Sequence, residues 1–194
     1  MKKAKVAING FGRIGRAFLK LAITRPELEV VAINDLGDLD NLAYLLKYDS
    51  AYGRLDKKVE TVTKDDKKYL VVGGQEFLFI QEKKTDLLPW GVLGVDIVVE
   101  ATGVFDSYEK SEIHKKAGAK RVVISAPARD EDGSINSPQG NSDGKTVLMG
   151  VNEEELKTCT ISSNGSCTTN SASPVMQILV EKLGVKKAFL NTVH

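Results

Sequence analysis

The sequence is short of the residues that staple small secreted or metal-bound proteins together. Only Cys159 and Cys167, and only His114 and His194, occur among its 194 residues. Two cysteines make no disulfide framework and too little sulfur for a cysteine-built zinc site, so no metal is expected. No stretch approaches the roughly 20 apolar residues that a membrane span requires. The opening MKKAKVAINGFGRIG meets glycine and charge before any long apolar run forms, unlike a signal peptide. An excess of one charge is missing as well: 27 Lys and Arg face 26 Asp and Glu. That balance supplies neither a nucleic-acid arm nor a membrane-surface face. The expectation is a reduced, cytoplasmic protein, with length for one domain and part of another.

Apolar runs and turn residues divide the chain. Lys5 to Asn9 (KVAIN) reads as a strand ending at the turn Gly10–Gly12, and Ile14, Phe18, Leu21 and Ala22 then recur at helical spacing. Leu28 to Asn34 is a second buried strand and Leu39 to Leu46 a second helix. VETVT, KYLVVGG and QEFLFIQ alternate as in a small antiparallel insert. Val95 to Gly103 and Arg121 to Pro127 return to the buried-strand type, with a helix over Tyr108 to Ala117 between them. Asp130 to Lys145 is polar enough for a surface loop. TVLMGV and TISSN read as strands, Pro174 to Leu183 as an apolar helix, and the final VKKAFLNTVH as a strand. Alternating strands and helices predict an α/β, Rossmann-type, mostly parallel sheet over residues 1–150. Residues 151–194 read as the first strand-helix-strand of an α+β catalytic domain that continues further.

Gly10-Phe11-Gly12-Arg13-Ile14-Gly15 is G-x-G-x-x-G placed between a strand and a helix, the context the pattern needs. The first glycine permits the tight turn, the second a close approach to pyrophosphate, and the third close packing of helix on strand. Unpaired amides at the helix start then face the phosphates. Asp35 ends the second strand, where a carboxylate accepts both hydroxyls of an adenosine ribose and repels a 2′-phosphate. NAD is therefore expected over NADP. The competing reading is a structural glycine turn with Asp35 capping the next helix. Thr102-Gly103 and Ser125 end two later strands, at the sheet edge where ligands bind in such folds.

In ISSNGSCTTNSASP, Cys167 stands where a polar turn gives way to a helix. The positive end of a helix dipole favours the reactive thiolate there. Ser166, Thr168 and Thr169 add hydroxyls and amides able to hold an anion. Cys159, in the apolar TCTIS run, suits a small buried residue instead. Two bases are available. His114 has lysine neighbours, the look of a solvated helix face, whereas His194 ends a strand and projects over its end.

Taken together, NGFGRIGR, Asn34-Asp35, LLKYDS, ATGVF, ISAP, SNGSCTTN and NTVH closely resemble the phosphorylating glyceraldehyde-3-phosphate dehydrogenase family, in unbroken order from about Lys5 to His194. The resemblance implies that Cys167 attacks the substrate aldehyde and that His194 is the general base. Hydride passes to NAD, and inorganic phosphate cleaves the resulting thioester to 1,3-bisphosphoglycerate. It also implies cofactor contacts from Asn9, Gly10, Phe11, Gly12, Arg13, Ile14 and Gly15, from Asn34 and Asp35, and from Thr102, Gly103 and Ser125. Lys83 stands where the family often has arginine beside the adenine. Ser166 and Thr168 would bind substrate and phosphate, and the full-length assembly would be a homotetramer.

Ser171 stands where the family commonly has a second cysteine. The family's catalytic domain runs well beyond the position of His194, so this chain reads as a fragment with weak NAD binding and little turnover of its own. Erythrose-4-phosphate dehydrogenase, with water as acceptor, is an alternative on the same residues. A non-catalytic NAD-binding module is another, and a semialdehyde dehydrogenase would leave most of these motifs without a reason.

Overall fold

The computed structural model describes residues 2–128 and 143–193. The first buried run becomes strand β1 (Ala4–Asn9), helix α1 (Arg13–Ala22) follows the glycine turn, and β2 (Leu28–Asn34) lies parallel to β1. Side chains alternate between the faces of a strand, and here both faces are covered. Val6 and Ile8 pack with Leu19 of α1 and with Leu42 and Leu46 of helix α2 (Leu39–Lys47). Ala7 packs on the opposite side with Trp90, Val95 and Val98. Burial on both faces is why these strands are written as unbroken apolar runs.

The alternating segments form an antiparallel meander of β3 (Val59–Lys64), β4 (Lys67–Val72) and β5 (Gln75–Ile80). β5 runs parallel to β2, with Ala32 opposite Leu78, so the meander extends the main sheet. Its first turn takes positive φ at Asp65 (48°) and Asp66 (59°). A two-residue hairpin needs that backbone twist, and aspartate tolerates it better than most residues.

Beyond the short helix α3 (Trp90–Leu93) come β6 (Ile97–Glu100), α4 (Tyr108–Lys116) and β7 (Arg121–Ile124). They are followed by β8 (Gly144–Thr146), β9 (Ile161–Ser163) and α5 (Cys167–Leu183). Among the described residues the sheet has nine strands in the order β3-β4-β5-β2-β1-β6-β7-β9-β8, and every pairing outside the meander is parallel. The Rossmann-type expectation is met. From β1 the chain moves outward to β2 on one side and later returns to β6 on the other. The carboxyl ends of β1 and β6 therefore flank a crevice at the point where strand order reverses.

The last third departs from the sequence reading. TVLMGV supplies only the end of β8, because Asn152 turns the chain: its Oδ1 accepts from Leu148 N (2.8 Å) and its Nδ2 donates to the Thr146 carbonyl (3.0 Å). Gly144 and Lys145, placed in the polar loop by composition, are strand residues paired to β9; positions 130–142 of that loop lie outside the described residues. The sheet also runs past position 150, since β9 inserts between β7 and β8. Helix α5 starts at Cys167 instead of Pro174 because Ser166 caps it, its Oγ accepting from Thr169 N at 2.9 Å. Described residues 185–193 form no strand and find no sheet partner, and Phe189 is 92% exposed.

Two stability tests follow from this packing. Leu70 of β4 is fully buried with Val6, Ile8 and Phe77; Leu70→Ala should lower the unfolding free energy by about 2–5 kcal/mol in urea titration, within one cooperative transition. Asp49, just after α2, accepts hydrogen bonds from Tyr52 N, Lys20 Nζ on α1 and Ala51 N, which hold its carboxyl at about 2 against an ordinary 3.8. A depressed folded value contributes stability above the unfolded value, lost as pH falls through the folded one. The advantage of the native chain over Asp49→Asn should therefore be full at neutral pH and shrink between 3.8 and about 2. A constant difference across that window would contradict the assignment.

Candidate functional site

The glycine fingerprint lies at the carboxyl end of β1, and its spacing is enforced by contact. Gly10 has φ +93°, and a Cβ there would sit 2.6 Å from Thr102 N. A Cβ on Gly15 would lie 2.1 Å from the Gly10 carbonyl. Gly12 has open space around it and is the N-cap of α1, with no side chain capping the helix and no acidic residue in its first turn. The first amides of α1 thus have no acidic or capping side chain of their own and face open space, which suits a phosphate anion.

Asp35 braces this loop from the neighbouring strand. Its Oδ2 accepts from Phe11 N at 2.6 Å and its Oδ1 from Gly37 N at 2.8 Å. The carboxylate is only half-buried, and its remaining lone pairs are available to ribose hydroxyls. The helix-cap reading of Asp35 does not hold: α2 is capped by Asp38, which accepts from Asn41 N at 2.9 Å. Arg16 Nη1 donates to the Phe11 carbonyl at 2.9 Å, steadying the loop from the helix side. Burial lowers the Arg16 pKa, with the Asp49 and Asp35 charges opposing it.

The other candidates gather along the same sheet edge. Arg13 and Ile14 are exposed on the first turn of α1, Lys83 is exposed just past β5, and Thr102-Gly103 follows β6. Ser125 follows β7 and donates its amide to the Glu100 carbonyl at 2.9 Å. Cys167 is exposed at the first position of α5, beyond the carboxyl end of β9. Ser166 and Thr168 flank it half-buried, and the Ser166 hydroxyl also pairs with Thr169 Oγ1 at 2.8 Å. Asn9, Phe11 and Asn34 are placed differently. Their side chains are buried in the protein, so these positions offer a ligand backbone atoms alone. His194 lies outside the described residues.

His114 corrects the sequence reading. It is fully buried, not solvated, because α4 turns His114 inward with Tyr108 and Ser111, against Trp90 and Phe105, while Lys110 and Lys116 face out. Its Nδ1 accepts from Trp90 Nε1 (3.1 Å), and its Nε2 lies 2.9 Å from Glu100 Oε2. Two further buried polar residues frame the site without standing out in the sequence. Glu100 is 2% exposed, and an acid closing the buried run IVVE is the sign the sequence carries, since buried carboxylates are rare unless partnered. Ser163 ends β9 fully buried. Its Oγ donates to the Ala126 carbonyl (2.7 Å) and accepts from Ala128 N and Gly165 N (both 3.1 Å). It thereby ties the Ser125-Ala126-Pro127 turn to the loop that delivers Cys167. A serine in a short strand carries no such signal in sequence.

The glyceraldehyde 3-phosphate dehydrogenase NAD-binding domain profile matches residues 4–108. Proteins named glyceraldehyde-3-phosphate dehydrogenase are similar over nearly the whole chain. That of Clostridium acetobutylicum is 47% identical over 192 residues, covering 98% of this chain and 53% of its own length. The Thermotoga maritima protein is 47% identical over 194 residues (98% and 54%), and that of Geobacillus stearothermophilus 45% over 192 (98% and 52%). The chain belongs to the glyceraldehyde-3-phosphate dehydrogenase family. It spans about half the length of these curated relatives.

For a glyceraldehyde-3-phosphate dehydrogenase family chain the cofactor is NAD. The residues present fit it: an uncapped helix start for the pyrophosphate, open space at Gly12 and a half-buried carboxylate at Asp35. Asp35→Asn removes a charge that would accept from ribose hydroxyls and oppose a 2′-phosphate. By isothermal titration it should weaken NAD about tenfold while leaving NADP unchanged or tighter. Equal loss for both dinucleotides would assign Asp35 to loop bracing alone.

Proposed function

We propose that this chain carries the NAD site and the nucleophile of an enzyme that converts glyceraldehyde 3-phosphate and inorganic phosphate to 1,3-bisphosphoglycerate. The observation that carries the proposal is the position of Cys167, an exposed thiol at the start of α5 on the same sheet edge as the glycine loop. In this reading the Cys167 thiolate adds to the aldehyde carbon as the carbonyl π bond opens, and the oxygen takes a proton from the His194 imidazolium, giving a thiohemiacetal with a new C–S bond. His194 takes the hydroxyl proton as the C–H bond gives up hydride. When bound, NAD supplies the hydride acceptor. A thioester on Cys167 remains. Inorganic phosphate adds to its carbonyl, and the C–S bond breaks to release the acyl phosphate and regenerate the thiolate. Ser166, Thr168 and the first amides of α5 hold the phosphate oxygens.

Thiolate, base, hydride acceptor and anion-binding amides are the four parts this chemistry needs. A cytoplasmic homotetramer at full length is part of the same proposal, resting on the family resemblance.

Cys159 is the internal control for a test in one chain. It is buried, and burial followed by the Asp143 charge raises its pKa, so it should react slowly. Iodoacetamide labelling read by peptide mass spectrometry should modify Cys167 much faster. Added glyceraldehyde 3-phosphate should slow Cys167 and leave Cys159 unchanged. Erythrose 4-phosphate protecting better than glyceraldehyde 3-phosphate would favour the related erythrose enzyme. Absence of protection by either sugar would reduce the chain to a dinucleotide-binding module.

A further inference from the structure

Beneath the crevice runs a line of buried polar groups with no part in the chemistry just described. At one end Glu82 N donates to Asn34 Oδ1 (3.0 Å), and Asn34 Nδ2 donates to the Glu82 carbonyl (3.0 Å) and to Asn9 Oδ1 (2.8 Å). The Glu82 backbone thereby fixes which way both amides face. Asn9 Nδ2 must donate onward, and it does so to Glu100 Oε2 at 2.6 Å. At the other end stands the Trp90 indole N–H, which can only donate. It reaches His114 Nδ1 at 3.1 Å, so the imidazole proton lies on Nε2, which donates to the same Glu100 oxygen at 2.9 Å. Glu100 Oε1 accepts from Thr102 N at 2.7 Å and from the Thr102 hydroxyl. Three N–H donors of fixed direction and the Thr102 hydroxyl converge, and a group accepting at both oxygens satisfies them all. An amide in this position would aim a donor at donors.

Those donors come from both walls of the crevice. Asn9 directly precedes Gly10 at the end of β1, and Thr102 begins the turn that Gly10 touches at the end of β6. Thr102 Oγ1 accepts in turn from Val104 N at 3.0 Å, closing the turn around Gly103. Strand order assigns the two halves of the ligand. Asp35 ends β2, the glycine loop ends β1, and β6 lies next, on the side leading through β7 to β9 and Cys167. A dinucleotide laid from Asp35 across the loop brings its nicotinamide half over the Thr102-Gly103 turn.

We propose that Glu100 is a positioning residue for the nicotinamide half of NAD: its carboxylate holds the end of β1 and the Thr102-Gly103 turn at the separation the dinucleotide requires. The proposal rests on the reading that this turn faces the cofactor. It acts through Thr102, and Glu100 itself touches no ligand.

The test titrates NAD and AMP into the full chain and into Glu100→Gln. AMP carries only the adenosine half, which reaches Asp35 and not the β6 turn. Glu100→Gln should weaken NAD about tenfold and leave AMP within about twofold of the native value. Equal losses for both ligands, or none for NAD, would overturn the proposal. Should Glu100→Gln fail to fold, Thr102→Val and Thr102→Ser decide. Valine removes the hydroxyl donor and should weaken NAD selectively, and serine, which keeps it, should restore the affinity. Identical NAD affinities for the two would overturn the proposal. A folded native chain that binds AMP and not NAD would mark the cofactor reading of the turn as the failure, and the proposal would fall with it.

Discussion

The Glu100 carboxylate is the constraint on which the centre of this molecule depends. Burying an uncompensated charge costs several kcal/mol, and Glu100 is compensated by donors from β1, from α4 and from the turn after β6. Its partners are secured in turn by the Glu82 backbone and the Trp90 indole. Neither the Asn9 and Asn34 amides nor the His114 imidazole can reverse its donor-acceptor sense without leaving a buried donor facing another. Such all-or-none satisfaction favours one geometry over near alternatives. The geometry it selects is the mutual placement of β1 and β6, whose carboxyl ends define the cofactor crevice.

Function then follows from what the parallel sheet does with its strand ends. Each parallel strand delivers its following loop to the same edge. The glycine turn, Asp35, the Thr102 turn and Ser125 accordingly collect there without being near one another in sequence. β9 extends the pattern outward, and Ser163 anchors its end to the turn after β7 before the chain enters α5. Cys167 is thus presented on the side of the crevice away from Asp35. Order across the sheet, more than any single contact, sets where the glycine loop and Cys167 stand relative to each other.

Much of this was legible in the residues. The apolar runs of β1, β2, β6 and β7 are continuous because both of their faces are covered, and the meander alternates. G-x-G-x-x-G and Asp35 have few alternative uses in their context. SNGSCTTN marks an exposed cysteine and also its helix, because Ser166 is a good capping residue; Pro174 obscured how early that helix begins. The errors share one cause. His114 among lysines reads as solvated, and VKKAFLNTVH reads as a strand, because local pattern does not say what packs against a segment. His114 is buried by Trp90 and Phe105, and residues 185–193 have no neighbouring strand among the described residues.

The sequence by itself determined the α/β class, the dinucleotide turn, the carboxylate expected at the ribose and the cysteine expected to react. Each of these depends on short-range spacing: helical or alternating periodicity, glycine where backbone must pass close, a cap before a helix. Only the tertiary structure decided that β9 belongs to the same sheet, that Asn9 and Asn34 face inward, and that Glu100 links both walls of the crevice. Those outcomes depend on partners far apart along the chain, Asn9 and Glu100 being separated by 91 residues. Hydrogen-bond direction at such distances is settled only when the strands have met, and no local spacing encodes it.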